Sequence, residues 1–303
     1  MRIHHLNCST MCPFGGHFMD RQTKGIGESH LVCHCLLVET REGLVLIDTG
    51  LGLRDVFKPQ ERIDGLFRNF LRPKLRAEET AIRQIRSLGF RPSEVRHIIL
   101  THLDFDHAGG IDDFPHAQVH VMETELKAAT HPKGFISNRR YSPSQLTGSK
   151  TWNTYYQEGE KWFGFDAVRQ LKGLPPEILM IPLFGHTEGH IGVAVETDQG
   201  WLLHAGDAYF FQGELNKDYS CPPGLRAYQT IMEVSRHQRL FNQKRLKDLA
   251  HTHHKDVRVF CAHDKVEFQD LKTEKLRLLA GTSENFENVF WMRRDQGKER
   301  PLQ

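Results

Sequence analysis

The apolar run Val95 to Leu100 is followed at once by Thr101-His102-Leu103-Asp104-Phe105-Asp106-His107-Ala108-Gly109-Gly110, which places four potential metal ligands within six residues. In a tight turn His102 and Asp104 can converge on one ion while Asp106 and His107 reach a second, and Gly109-Gly110 lets the backbone turn away sharply. A solvated acidic turn is the plain alternative, but it does not call for two imidazoles at this spacing. The loop constrains the fold, because a metal needs further ligands brought to the same end of a sheet.

Three later clusters meet that demand. Gly185-His186-Thr187-Glu188-Gly189-His190 follows the apolar run Ile178 to Pro182. Leu203-His204-Ala205-Gly206-Asp207-Ala208 sets an acid after a glycine at the end of the run Trp201 to His204, and the run Val257 to Cys261 leads into Ala262-His263-Asp264. Each ligand comes at the carboxyl end of a strand, where open α/β sheets generally hold their ligands. Further strands are expected at Leu31 to Val38, Leu44 to Ile47, Gln118 to Met122 and Ile191 to Glu196. Helices are expected at Glu78 to Leu88, with Ile82, Ile85 and Leu88 on one face and Gly89 at the end, and at about Leu225 to Leu249. Strands and helices alternate in each half, which argues for an α/β sandwich with helices over the outer faces of packed sheets.

No linker rich in Pro, Gly or Ser interrupts the 303 residues, so a single domain is expected over 1–303. Two segments break the alternation and read as insertions over a site. One, at about 53–74, carries Phe57, Phe67 and Phe70; the other, at about 131–174, carries Tyr141, Trp152, Tyr155, Tyr156, Trp162 and Phe163. Their aromatics fill a substrate pocket, a satellite core or a contact in a homodimer, and the pattern leaves the three open.

Charge argues against a nucleic-acid partner: 40 Lys and Arg nearly balance 38 Asp and Glu, with no basic cluster around the motifs. No stretch approaches the ~20 apolar residues of a membrane span, and the N-terminus lacks a signal-peptide core. Six cysteines are too sparse for a disulfide scaffold and fit a reducing, cytoplasmic compartment. Cys8, Cys12, Cys33 and Cys35 read as small packed residues, with a four-thiol zinc site as the alternative. Histidine is the unusual entry in the composition, at nineteen. His204 reads as structural, and His251, His253 and His254 as a solvated turn.

In this order the clusters resemble the metallo-β-lactamase superfamily, over Met1 to Asp264. The resemblance implies a four-layer αβ/βα sandwich and two divalent metal ions. His102, Asp104 and His186 would hold one, Asp106, His107 and His263 the other, and Asp207 would bridge them. Asp48 in Leu46-Ile47-Asp48-Thr49-Gly50 would order the metal loop. The pattern is closest to the N-acyl homoserine lactonase branch, with two departures. That branch has His where this chain has Asp104, and an extra oxygen donor shifts the balance from zinc, the default, toward iron or manganese. It also has Tyr three residues after the bridging Asp, where this chain has Phe210, with Tyr209 one position earlier.

Two bridged cations would lower the pKa of a shared water from about 15.7 toward roughly 7 and supply hydroxide at neutral pH. The expected reaction is hydrolysis of a lactone or other carboxylic ester with an apolar moiety. Asp106 would manage the proton, Tyr209 would stabilise the oxyanion, and His190 would either contact substrate or orient its own loop. Thioester hydrolysis of the hydroxyacylglutathione hydrolase type, di-iron oxygen chemistry, and a metal-containing small-molecule sensor are the other readings.

Overall fold

The computed structural model describes residues 1–146, 151–216 and 220–279. The chain divides into Met1–Phe268 and Gln269–Gln303, and every candidate site residue lies in the first unit. That unit holds two sheets. The first has seven strands: β1 (Arg2–Met11), β2 (Leu31–Thr40), β3 (Gly43–Ile47), β4 (Pro73–Lys74), β5 (Val95–Ile99), β6 (Gln118–Met122) and β7 (Thr151–Tyr155), in the order β4-β1-β2-β3-β5-β6-β7. The second has six: β8 (Glu160–Trp162), β9 (Phe165–Gln170), β10 (Ile178–Pro182), β11 (Ile191–Thr197), β12 (Gly200–His204) and β13 (Val257–Phe260), in the order β13-β12-β11-β10-β9-β8.

Strands β3, β5, β6 and β7 run parallel, as do β12 and β13, while the remaining neighbours are antiparallel. Strand β3 is apolar throughout, as expected of a strand covered on both faces, whereas β5 joins exposed Arg96 and buried His97 to Val95, Ile98 and Ile99. The two sheets meet through β2: His34 N–H donates to Ala262 O at 2.9 Å. His204 Nε2 donates to His34 O at 2.5 Å, and Gly206 N–H donates to His204 Nδ1. His204 is thus a fastening between sheets, as expected of a structural residue.

The eight expected strands all form, within two residues at either end. The helix expected at Glu78 to Leu88 starts later, at Ala81–Ser87 after a 3-10 turn; Ile82 and Ile85 are buried, but Leu88 lies beyond its end and is 42% exposed. The long helix expected from Leu225 is two, Pro223–Met232 and Arg236–Thr252, because the chain turns extended at Glu233 and Ser235 Oγ caps the second by accepting from Gln238 N–H.

The two expected insertions divide their aromatics. In the first, Phe67 is buried, while Phe57 and Phe70 stay exposed. In the second, Trp152 and Tyr155 belong to β7 at the sheet edge. There Trp152 packs against the first core, and Tyr155 Oη lies 2.7 Å from His120 Nδ1. Trp162 and Phe163 pack on the second core. These four support the sheets. The helices Ser137–Arg140 and Pro143–Leu146 of the same segment instead lie on the metal loop, where Gln145 Nε2 donates to Phe105 O at 3.0 Å. Among the described residues no helix is long and apolar enough to cross a membrane.

Candidate metal centre

The loops after β5, β10, β12 and β13 deliver His102, Asp104, Asp106, His107, His186, Asp207 and His263 to one buried place. Asp48, just past β3, sets the first loop. Its Oδ1 accepts the Thr101 N–H at 2.8 Å, and its Oδ2 accepts Thr101 Oγ1–H and lies 2.8 Å from His107 Nδ1. Its φ of 55° is left-handed, a conformation that Asp and Asn tolerate better than most side chains. Glu125, fully buried, ties two loops together: Oε1 accepts from Leu103 N–H and Oε2 from Gly189 N–H, both at 2.9 Å. Sequence reasoning missed Glu125, whose partners lie 22 and 64 residues away.

Hydrogen bonds fix the tautomers of the ligand histidines. His107 Nδ1–H donates to Asp48, and His263 Nδ1–H donates to Val32 O at 2.7 Å. In the neutral rings Nε2 is therefore the nitrogen with the lone pair, and the two Nε2 atoms face one another at 3.4 Å. Asp207 Oδ2 lies 3.2 Å from His263 Nε2 and its Oδ1 3.5 Å from His107 Nε2. Asp106 Oδ2 lies 3.7 Å from His263 Nε2. Two imidazoles and two carboxylates packed this closely call for positive charge, which ring protons or a bound cation supplies. Asp207 Oδ1 and His102 Nε2 are buried without a hydrogen-bond partner, as atoms meant for a metal would be. Three overlapping sets bring their candidate ligand atoms within 4.8 Å of one another: His107, Asp207 and His263; His102, His186 and Asp207; and Cys33, Asp106 and His263. The donors fit a divalent metal.

Electrostatics agree. Burial works against the charged form of His107, yet Asp207, Asp48 and Asp106 raise it to about 9. Burial is likewise outweighed at His263, where Asp207 holds the imidazole well above its ordinary value. Burial opposes ionisation of Asp207 too, but His263, His107 and His102 carry its carboxyl well below the usual range. The centre draws positive charge.

Arg140 is fully buried at this centre and was not expected there. Its Nε donates to Asp104 Oδ1 at 2.6 Å and its Nη2 to Asp104 Oδ2 at 2.8 Å. The same Nη2 lies 2.8 Å from His186 Nε2, and Nη1 donates to His186 O and Met232 O. Asp104 is in the cluster, with Oδ2 3.2 Å from His186 Nε2 and 3.6 Å from His102 Nε2. Burial is overcome at Asp104 by Arg140, then by His102, so its carboxyl falls well below the usual range. Burial and then Arg140 push His186 down to about 4.

Two residues expected to be catalytic face elsewhere. His190 uses both ring nitrogens on its own surroundings: Nδ1 donates to Leu183 O at 3.1 Å and Nε2 accepts the Asp207 N–H at 2.8 Å. It holds the turn that carries Asp207. Tyr209 is turned into the second core, and its hydroxyl donates to Glu267 Oε1 at 3.0 Å. The strand β12 ends at His204, and the turn at Gly206–Asp207 with the bend at Ala208 sets the direction in which Tyr209 leaves the centre. Phe210 takes the inner place, stacked on His263 with ring centroids 5.1 Å apart. Tyr228, on the helix Pro223–Met232, meets Phe210 edge-on at 5.7 Å. Burial first, then Asp106, Asp104 and Asp207, push its hydroxyl well above the ordinary phenol value. Tyr228 thus packs beside Phe210 at the edge of the centre, near enough to the carboxylates for their charge to act on it.

Of the cysteines, all six are unpaired and buried. Cys33 Sγ lies 3.8 Å from Asp106 Oδ2, whereas Cys35 and Cys8 pack in the first core, so no four-thiol site forms among the described residues. His251, His253 and His254 join none of the metal-capable sets found among the described residues.

Residues 30–258 match the metallo-beta-lactamase superfamily. A probable metallo-hydrolase of Mycobacterium tuberculosis is 41% identical over 264 residues, 87% of this chain and 80% of that protein. The N-acyl homoserine lactonase AiiA of Bacillus thuringiensis subsp. kurstaki is 28% identical over 58% of this chain and 63% of its own. Among solved structures, an N-acyl homoserine lactone hydrolase with the product N-hexanoyl-L-homoserine at its catalytic metal centre superposes with a TM-score of 0.65. It is 21% identical over 88% of this chain and 95% of that one, a likeness of fold. With this fold, and with the family match spanning most of its length, the chain belongs to the metallo-beta-lactamase superfamily and is a metal-dependent hydrolase by kinship.

Proposed function

We propose that the chain opens a lactone or cleaves a carboxylic ester with a water activated at the His107–Asp207–His263 centre. The observation that carries this reading is the pair of Nε2 lone pairs facing one another at 3.4 Å beside the Asp207 carboxylate. A divalent ion held there, with zinc as the expected metal, supplies an acidified water and a Lewis acid. The oxygen-rich case for iron or manganese rested on Asp104, and both of its oxygens are taken by Arg140.

The protein's own groups do the rest. Asp106, beside His263, takes the proton from the attacking water and returns it to the leaving oxygen. Tyr228 offers its hydroxyl to the carbonyl, and Phe210 seals one side of the centre. Asp48, Glu125 and His190 hold the ligand loops. Phe70, 47% exposed, stacks on Tyr228 with centroids 5.9 Å apart, so aromatic surface leads from solvent to Phe210. That path suits a small-molecule substrate with an apolar moiety. The lactonases among the relatives support the same substrate class.

The test is turnover by metal-loaded protein on lactones, simple esters, thioesters and phosphodiesters, side by side. Lactone or ester turnover well above the others is expected. A preference for thioesters would move the assignment to that class, and no turnover of any would favour a sensor.

A further inference from the structure

We infer that Arg140 is a built-in cation that takes the place of the first metal, so that the centre binds one ion, at His107, Asp207 and His263. The inference rests on the metal-centre reading above and not on any substrate.

Arg140 has five N–H donors. Nε and Nη2 give one each to the two Asp104 oxygens, Nη2 gives its second to His186 Nε2, and Nη1 gives its two to His186 O and Met232 O. All five are used. A lone pair on His186 Nε2 that accepts an N–H at 2.8 Å is not free to bind a metal, and Asp104 faces the same competition at both oxygens. His186 Nδ1 is unpartnered too, but the edge of that ring turned toward Asp104 and Asp207 is Nε2, so what remains open at the first position is His102 Nε2 and Asp207 Oδ1, two donors where a tetrahedral ion needs at least three from protein. The second position keeps His107 Nε2, His263 Nε2, Asp207 and the adjacent Asp106.

Charge explains why the exchange is stable. A buried carboxylate between two imidazoles needs a cation, and a forked guanidinium meets it with matched geometry at both oxygens. Asp104, which stands where the lactonase pattern has His, and the Arg140 that neutralises it therefore act as one unit. A permanent charge stands where an exchangeable one would. With all five donors committed to Asp104, His186 and Met232, Arg140 is a positioning residue.

The experiment is metal content per chain by elemental analysis, after loading with excess zinc and desalting. Wild type is expected to hold one equivalent, His186→Ala one and His263→Ala none. Arg140→Met, which removes the cation and frees Asp104 and His186, is expected to hold two. Two equivalents in wild type would overturn the inference, as would loss of the ion in His186→Ala. A folded Arg140→Met that stays at one would also overturn it. Should that variant not fold, the wild-type count and the two histidine variants still decide. The count needs no turnover, so an inert protein with one ion would remove the hydrolase reading and leave this one standing.

Discussion

Asp48 Oδ2 lies 2.8 Å from His107 Nδ1, and this contact decides which nitrogen of His107 is offered to the metal. The carboxylate fixes the ring with Nε2 inward and makes it a stronger donor. Replacing Asp48 with Ala removes that contact and both bonds to Thr101. Metal affinity should fall by roughly 10–100-fold, read as the chelator concentration that strips half of the metal. Unchanged affinity would mean that the loop is set by other contacts.

The two tyrosines should separate cleanly. Tyr209 donates to Glu267 in the core, whereas Tyr228 packs against Phe210, which stacks on His263. Tyr209→Phe is expected to keep kcat and lose about 1 kcal/mol of stability with its hydrogen bond. Tyr228→Phe should keep its stability and lose on the order of tenfold in kcat, the effect of one removed donor worth about 1.4 kcal/mol. The reverse pattern in steady-state kinetics and thermal melts would return the role to Tyr209.

Phe70 carries the apolar path. Phe70→Ala should raise KM for long-chain acyl substrates by several-fold, with little change for short ones, since stacking of this kind is worth ~1 kcal/mol. Trp152→Ala and Tyr155→Ala should act on stability instead, because both lie in β7. A KM series over chain length with these three variants reads the difference.

Glu267 gives the fold a pH signature of its own. Burial, then Asp264, pushes its carboxyl up to about 8 from an ordinary 4.5. The folded state therefore keeps a proton that the unfolded chain releases. The stabilising effect is complete below the unfolded value and is lost as pH rises through that window to about 8. Glu267→Gln stays neutral and can still accept from Cys261 N–H, as Glu267 Oε2 does at 2.8 Å, while its amide donates to Tyr209. It should be more stable than wild type by ~4 kcal/mol at pH 9 and by less than ~1 kcal/mol at pH 5, by denaturant titration at the two pH values. Equal stability at pH 9 would place the Glu267 carboxyl in the ordinary range.

The sequence exposed the centre because its ligands come in short local clusters at strand ends: His102 to His107, His186, Asp207 and His263 can each be read without knowing the fold. Arg140 could not be read that way. Its partner Asp104 is 36 residues distant, and Arg139-Arg140 looks like any solvated basic pair. Cys33 sits in an apolar run where a thiol reads as packing, and Tyr228 lies on an amphipathic helix. β1, with His4, His5, Asn7, Ser9 and Thr10, does not read as an apolar run, because polar residues such as His4, paired with Glu39, and Ser9 are buried within it. The departures from the lactonase pattern were the most informative residues, since Asp104 and Phe210 are where the structure differs most from what the pattern alone implies.

The most direct test of the central claim is the rate of lactone-ring opening by metal-loaded protein, before chelation, after it, and after one equivalent of zinc is restored. The account predicts hydrolysis that chelation abolishes and zinc brings back. Hydrolysis that survives complete removal of the metal would contradict it.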